Sequence, residues 1–179
     1  NLLTDDEALT TLAFISHTDS GDPSFAFFEG AHNRLAPADL DVDLIRGASV
    51  FHCGSVSLLR EPAFSATWAA VRMAKAAGVV FSYDINWRPL LWRGQSVEKA
   101  AAPFAVADVI KMNEGELALV TGESDPRVGL ARFNVPARLV LITLGAKGCL
   151  YRFGGEIGEA FAPPVEHVVD ATGAGDSFM

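Results

Sequence analysis

The chain has 179 residues, 50% of them hydrophobic, with a mean hydropathy of +0.24 and a formal charge of −8. That apolar content excludes a disordered chain, and 14 Lys+Arg with no basic run leave no footing for nucleic acid or an anionic membrane. No apolar run approaches the roughly 18 residues that span a bilayer, and Cys53 and Cys149 lack the spacing of a metal site or redox pair. A reducing cytoplasm is the expected setting. The chain opens with Asn1 and stops just after a last helix begins. It therefore reads as one partial domain over residues 1–179 of a larger protein.

Residues 12–16 and 24–28 are β-prone runs separated by a cluster of turn formers from His17 to Pro23, which predicts a hairpin. It would serve as a lid or edge element, and its free strand could pair with a second copy of the chain in a homodimer. Residues 48–53 then read as an apolar strand. Phe64, Trp68, Val71 and Ala74 recur at helical spacing within residues 61–77 before Gly78 stops them. A strand at 79–83, a helix at 96–106, a strand at 108–111, a helix at 114–120 and a strand at 139–143 continue the alternation. Residues 127–137 sit awkwardly for a crossover, as if the connection were compressed or partly absent. Residues 149–153 and 157–161 form a second hairpin around Gly154 and Gly155. Apolar strands alternating with amphipathic helices predict an α/β fold: three layers, α-β-α, around a mainly parallel sheet. Ligands of such sheets collect at the carboxyl ends of the strands.

Four segments at those ends carry candidate chemistry. Asp84, Asn86 and Arg88 alternate after the strand at 79–83, so they share one side if the segment stays extended. Arg88 could fork onto a phosphate or substrate oxygen, or simply pair with Asp84. Asn113 and Glu116 stand three apart at a helix start, where they can hold a hydrated Mg²⁺ or form a capping box. Thr143, Gly145 and Gly148 suit a nucleotide phosphate, and equally a plain turn. The segment Gly-Ala-Lys-Gly is not a Walker loop. Last comes Asp170-Ala171-Thr172-Gly173-Ala174-Gly175-Asp176, whose small residues leave backbone amides open to an anion beside a carboxylate. His17, His32, His52 and His167 have no metal-ligand spacing, and Trp68, Trp87 and Trp92 read most simply as packing residues.

The ordered motifs Asp84-x-Asn86-x-Arg88-x-x-Leu91-Trp92, Asn113-x-x-Glu116 and Asp170-x-x-Gly173-Ala174-Gly175-Asp176 resemble the ribokinase-like (PfkB) family of carbohydrate kinases. The first loop looks most like bacterial fructokinases and kinases of 2-keto-3-deoxygluconate. The resemblance implies Asp176 as catalytic base and Gly173, Ala174 and Gly175 as the anion hole. It further implies Asn113 and Glu116 as organisers of Mg²⁺ through water and Thr143, Gly145 and Gly148 as the nucleotide-binding turn. Asp84, Asn86 and Arg88 would be substrate or phosphate contacts, and Asp170 would lie near a monovalent-cation (K⁺) site. Position 171 is Ala where the family usually has Thr or Ser. The family's amino-terminal Gly-Gly motif and early sugar-binding Asp would lie upstream of Asn1, and its adenine-pocket segments beyond Met179.

The expected function is an ATP-dependent, Mg²⁺-assisted kinase acting on a primary hydroxyl of a small sugar, foremost fructose. 2-Keto-3-deoxygluconate, ribose and a nucleoside are the alternatives. A catalytically silent scaffold and a dinucleotide-binding oxidoreductase compete with it. The second lacks Gly-x-Gly-x-x-Gly after the first strand.

Overall fold

The computed structural model describes residues 3–17, 23–166, 168 and 170–179. The turn expected between the first two strands, and His167, lie outside the described residues. Strands β1 (Leu12–His17) and β2 (Pro23–Phe28) form an antiparallel sheet of their own, with the predicted bounds nearly unchanged. Leu12 opposes Phe28 and Ala13 opposes Phe27, so the two aromatic residues lie on opposite faces. Where periodicity indicated no element, the chain makes two 3₁₀ turns and a short helix, α1 (Val42–Gly47). The Asp41 carboxylate caps α1 by accepting from the Leu44 amide at 2.9 Å.

The main sheet has six strands in sequence order: β3 (Val50–Gly54), β4 (Val80–Asp84), β5 (Val109–Asn113), β6 (Leu139–Thr143), β7 (Cys149–Phe153) and β8 (Glu156–Ala160). The first four are parallel and the last two antiparallel, as the mainly parallel reading requires. Phe81 and Tyr83 of β4, Ile110 and Met112 of β5 and Val140 and Ile142 of β6 are fully buried. They meet Val71 of α2 (Ala63–Ala76), Ala100 of α3 (Val97–Ala101), Leu117 of α4 (Glu114–Thr121) and Leu130 of α5 (Pro126–Arg132) in one core. The other sheet face is less covered, with Val50 53% and Val80 39% exposed. On α2 the buried stripe is mostly alanine (Ala63, Ala66, Ala70, Ala74), and Phe64 and Trp68 flank it half-buried. Small residues there let the helix approach the strands closely.

Two connections differ from expectation for local reasons. The helix expected at 96–106 is split, because Pro103 lacks an amide donor and the chain tightens into a 3₁₀ turn after α3. The segment 127–137 is a compressed crossover. Asp125 caps α5 through the Arg127 and Val128 amides, and Pro126 sits at the first position, so seven residues suffice for a helix packed on α4. No helix among the described residues is long and apolar enough to cross a membrane.

Both cysteines are free. Burial pushes the Cys53 thiol up to about 12 and raises Cys149 as well. At pH 8 on the order of one Cys53 in 10⁴ is then thiolate, the reactive form. Iodoacetamide is expected to leave both sites unlabelled in the native protein and to label both in guanidinium, read by peptide mass spectrometry. Rapid native labelling at Cys53 would contradict the burial argument.

Candidate active site

Parallel register brings the carboxyl ends of β3 to β6 to one edge of the sheet: Gly54 lies beside Asp84, Asp84 beside Lys111, and Asn113 beside Thr143. The loops that follow β4, β5 and β6, together with the final glycine turn, enclose a cleft of about 750 Å³. That volume suits a small-molecule ligand. Phe27 of the hairpin reaches its wall, which gives the predicted lid element a place over the site.

Asp84 is buried beneath the cleft, and its Oδ2 accepts from Lys111 Nζ at 2.7 Å. Its Oδ1 accepts from the Asn86 amide at 3.1 Å, which turns the chain. Asn86 has φ 41°, so the segment is not extended and the expectation that Asp84, Asn86 and Arg88 share one side fails there. Asn86 and Arg88 instead line the cleft while Asp84 supports it from below. Trp87 is both wall and packing residue, stacked on the buried Trp92 with ring centroids 5.1 Å apart. Trp92 Nε1 donates to Ser55 Oγ at 3.2 Å.

Asn113 and Glu116 form the capping box in full. Asn113 Oδ1 accepts from the Glu116 amide and Glu116 Oε2 from the Asn113 amide, each at 2.8 Å. Glu116 also accepts from the Trp87 amide through Oε1 at 2.7 Å, so one carboxylate ties the start of α4 to the Asn86–Arg88 loop. Burial raises the Glu116 pKa above the ordinary carboxylate value, against the lowering pull of the two amides. Both residues line the cleft.

At the closing turn Asp170 Oδ1 accepts from the Thr172 amide at 2.8 Å, and Gly173 precedes helix α6 (Ala174–Phe178) with no side-chain cap. The Ala174 amide donates to the Ala171 carbonyl at 3.1 Å, which removes it from the predicted set of open donors. The following first-turn amides have no acceptor within so short a helix. Exposed Asp176 lies at the mouth, and its Oδ1 accepts from Asn86 Nδ2 at 3.2 Å. Thr143 and Gly145 line the cleft, whereas Gly148 packs against the backbone at the end of β8. His52 bonds Ser82 at 3.1 Å, apart from the cleft. Among the described residues no three His, Cys, Asp or Glu side chains form a metal-binding group.

Sequence reading overlooked Lys111, which is 5% exposed and lines the cleft. Its signal was a charged residue inside the apolar run Val109-Ile110-Lys111-Met112, a position where lysine is rare unless paired.

Comparison with known proteins gives this geometry its relatives. The model of the pfkB family of carbohydrate kinases matches residues 1–179. Fructokinase-2 of Solanum lycopersicum is 39% identical over 184 residues, covering 98% of this chain and 55% of that protein. Probable fructokinase-3 of Arabidopsis thaliana is 40% identical over 188 residues, covering 98% and 52%. The crystal structure of fructokinase with bound ATP from Xylella fastidiosa superposes with a TM-score of 0.84 at 28% identity, covering 97% of this chain and 55% of that one. A putative ribokinase II in complex with ATP and Mg²⁺ from E. coli gives 0.81 at 29%, covering 96% and 56%. The chain thus spans about half the length of the relatives it matches. With the family model matching from the first residue to the last, and the three motifs converging on one cleft, the chain belongs to the pfkB family of carbohydrate kinases.

Proposed function

We propose that the protein containing this chain is an ATP-dependent kinase that phosphorylates a primary hydroxyl of fructose, in the cytoplasm. The observation that carries this reading is the contact between Asn86 and Asp176, 90 residues apart in sequence, which joins the sugar-kinase loop to the glycine turn across one cleft. The fructokinase relatives, at about 39% identity, favour fructose over ribose or a nucleoside.

The proposed reaction is an in-line displacement. The sugar hydroxyl oxygen bonds to the γ-phosphorus of ATP as the bond to the β,γ-bridging oxygen breaks and ADP leaves, and Asp176 takes the hydroxyl proton. Asn86 orients that carboxylate by its hydrogen bond. The Gly175 and Asp176 amides take up charge on the transferring group. The residues fit Mg²⁺ of the kind that keeps most of its waters. Each Glu116 oxygen already accepts one amide but retains a second lone pair, so Glu116 and Asn113 would hold the ion through water. Bound there, the ion would neutralise phosphate charge.

A coupled ADP-release assay of the complete protein tests this reading, with fructose, 2-keto-3-deoxygluconate, ribose and a nucleoside, each with and without Mg²⁺ and K⁺. Fructose should turn over fastest and only with Mg²⁺. Absence of ADP release with every sugar would make the protein a silent family member.

A further inference from the structure

The cleft floor holds a charge that none of the three motifs contains. Lys111 enters from β5, and because Asp84 is its register neighbour on parallel β4, the two side chains leave the same face of the sheet and meet at 2.7 Å. Both are almost wholly buried, with side-chain exposures of 6% and 3%. An ammonium has three donors, and among the described residues Asp84 is the only hydrogen-bond partner of Lys111. A buried cation that finds one acceptor among the described residues is under-solvated unless something else supplies more. The direction in which its donors can act is set by the neighbours. Lys111 lines the cleft, and a Cβ built on Gly175 would stand 2.9 Å from its Nζ. The ammonium therefore lies directly behind the glycine turn, and residue 175 lacks a side chain where one would push it away.

We propose that Lys111 is the fixed cation of the phosphoryl-transfer corner: anchored by Asp84, its ammonium donates to an anionic phosphate oxygen held at the turn of residues 173–176. This deepens the sugar-kinase reading and rests on it. Charge balance supports it, since Asp84, Glu116 and Asp176 crowd the same corner and a polyphosphate brings further negative charge. Lysine's compact point charge, with three rotatable donors, suits a position shared between Asp84 and a phosphate oxygen.

The test must separate a phosphate contact from mere neutralisation of Asp84. Lys111→Met alone strands a buried carboxylate and is expected to unfold, so the informative variant is the double change Asp84→Asn with Lys111→Met in the full-length protein. If pairing were the whole role, the double variant would be restored, because charge and countercharge leave together. On the present proposal it keeps its melting temperature and its affinity for fructose, while kcat falls about 10²- to 10³-fold, as for loss of one preorganised donor. Its affinity for tripolyphosphate, measured by calorimetry, falls at least roughly tenfold, or about 1.4 kcal/mol. Asp84→Asn alone, which retains the cation, loses less on both counts. A folded double variant with wild-type kcat and tripolyphosphate affinity overturns the role of Lys111 and leaves the kinase reading intact. Should the wild type release no ADP with any of the sugars, the kinase reading falls, and the tripolyphosphate titration still decides. Binding lost in the double variant upholds the contact, and equal or absent binding in both proteins overturns it.

Discussion

Replacing Asp176 by Asn in the full-length protein is expected to lower kcat by about 10²- to 10⁴-fold, the range for a positioned general base, while the KM for sugar changes little. The substitution is nearly isosteric. An amide oxygen can still accept from Asn86 Nδ2, the contact now at 3.2 Å, so the loop after β4 keeps its hold on the turn. Asp176 is exposed and caps nothing, and the melting temperature should stay unchanged within measurement. What disappears is the capacity to accept a proton. At 1.36 kcal/mol per tenfold, the loss amounts to roughly 3–5 kcal/mol of transition-state stabilisation. Steady-state kinetics with fructose and ATP measure it. A variant that turns over near the wild-type rate would remove Asp176 from the chemistry and leave it a loop residue.

The second large effect is on stability. Gly148→Ala places a Cβ 2.0 Å from the Ala160 carbonyl oxygen and 2.7 Å from the Ala162 amide nitrogen, both backbone atoms that cannot swing aside. Gly148 also has φ 99° and ψ −129°, a conformation open essentially to glycine. Backbone strain of about 1–3 kcal/mol adds to an overpacking cost of about 1–3 kcal/mol. At about 2–4 °C per kcal/mol for a domain of this size, Tm should fall on the order of 10 °C. Gly145→Ala is the contrast. Gly145 lines the cleft with φ 58°, and an added Cβ there meets nothing within 4 Å. It should cost about 1–2 kcal/mol of stability for the left-handed backbone and act mainly on ATP affinity. Thermal melts and ATP titrations of the two variants separate the roles. Loss of ATP affinity at Gly148 with Tm unchanged would restore it to the nucleotide turn.

Much of this architecture is local in origin and could be read as such. The bounds of β6, of the β1–β2 hairpin and of α4 follow from apolar runs and turn formers that need no distant partner. The misreadings have local causes too. Pro103 breaks an otherwise helical pattern, and α1 rests on an Asp41 cap rather than a periodic face. Asn86 broke the alternation because its amide turns back onto Asp84, a bond that spacing alone does not announce.

Residue order alone carries the inventory: an alternating α/β chain whose strand ends hold Asp84, Asn86, Arg88, Asn113, Glu116 and the glycine turn before Asp176. Which of its possible uses each residue takes depends on the folded arrangement around it. Asp84 pairs with Lys111 because parallel register sets residues 27 apart side by side. Glu116 became both cap and tie because the Trp87 amide arrives beside it, and Gly148 packs on the backbone at the end of β8 instead of lining the cleft. One cause underlies all three. A residue's chemistry is fixed by its own atoms, but the partner that satisfies or frustrates that chemistry lies across a sheet or a loop. Its position depends on register and packing summed over the whole fold.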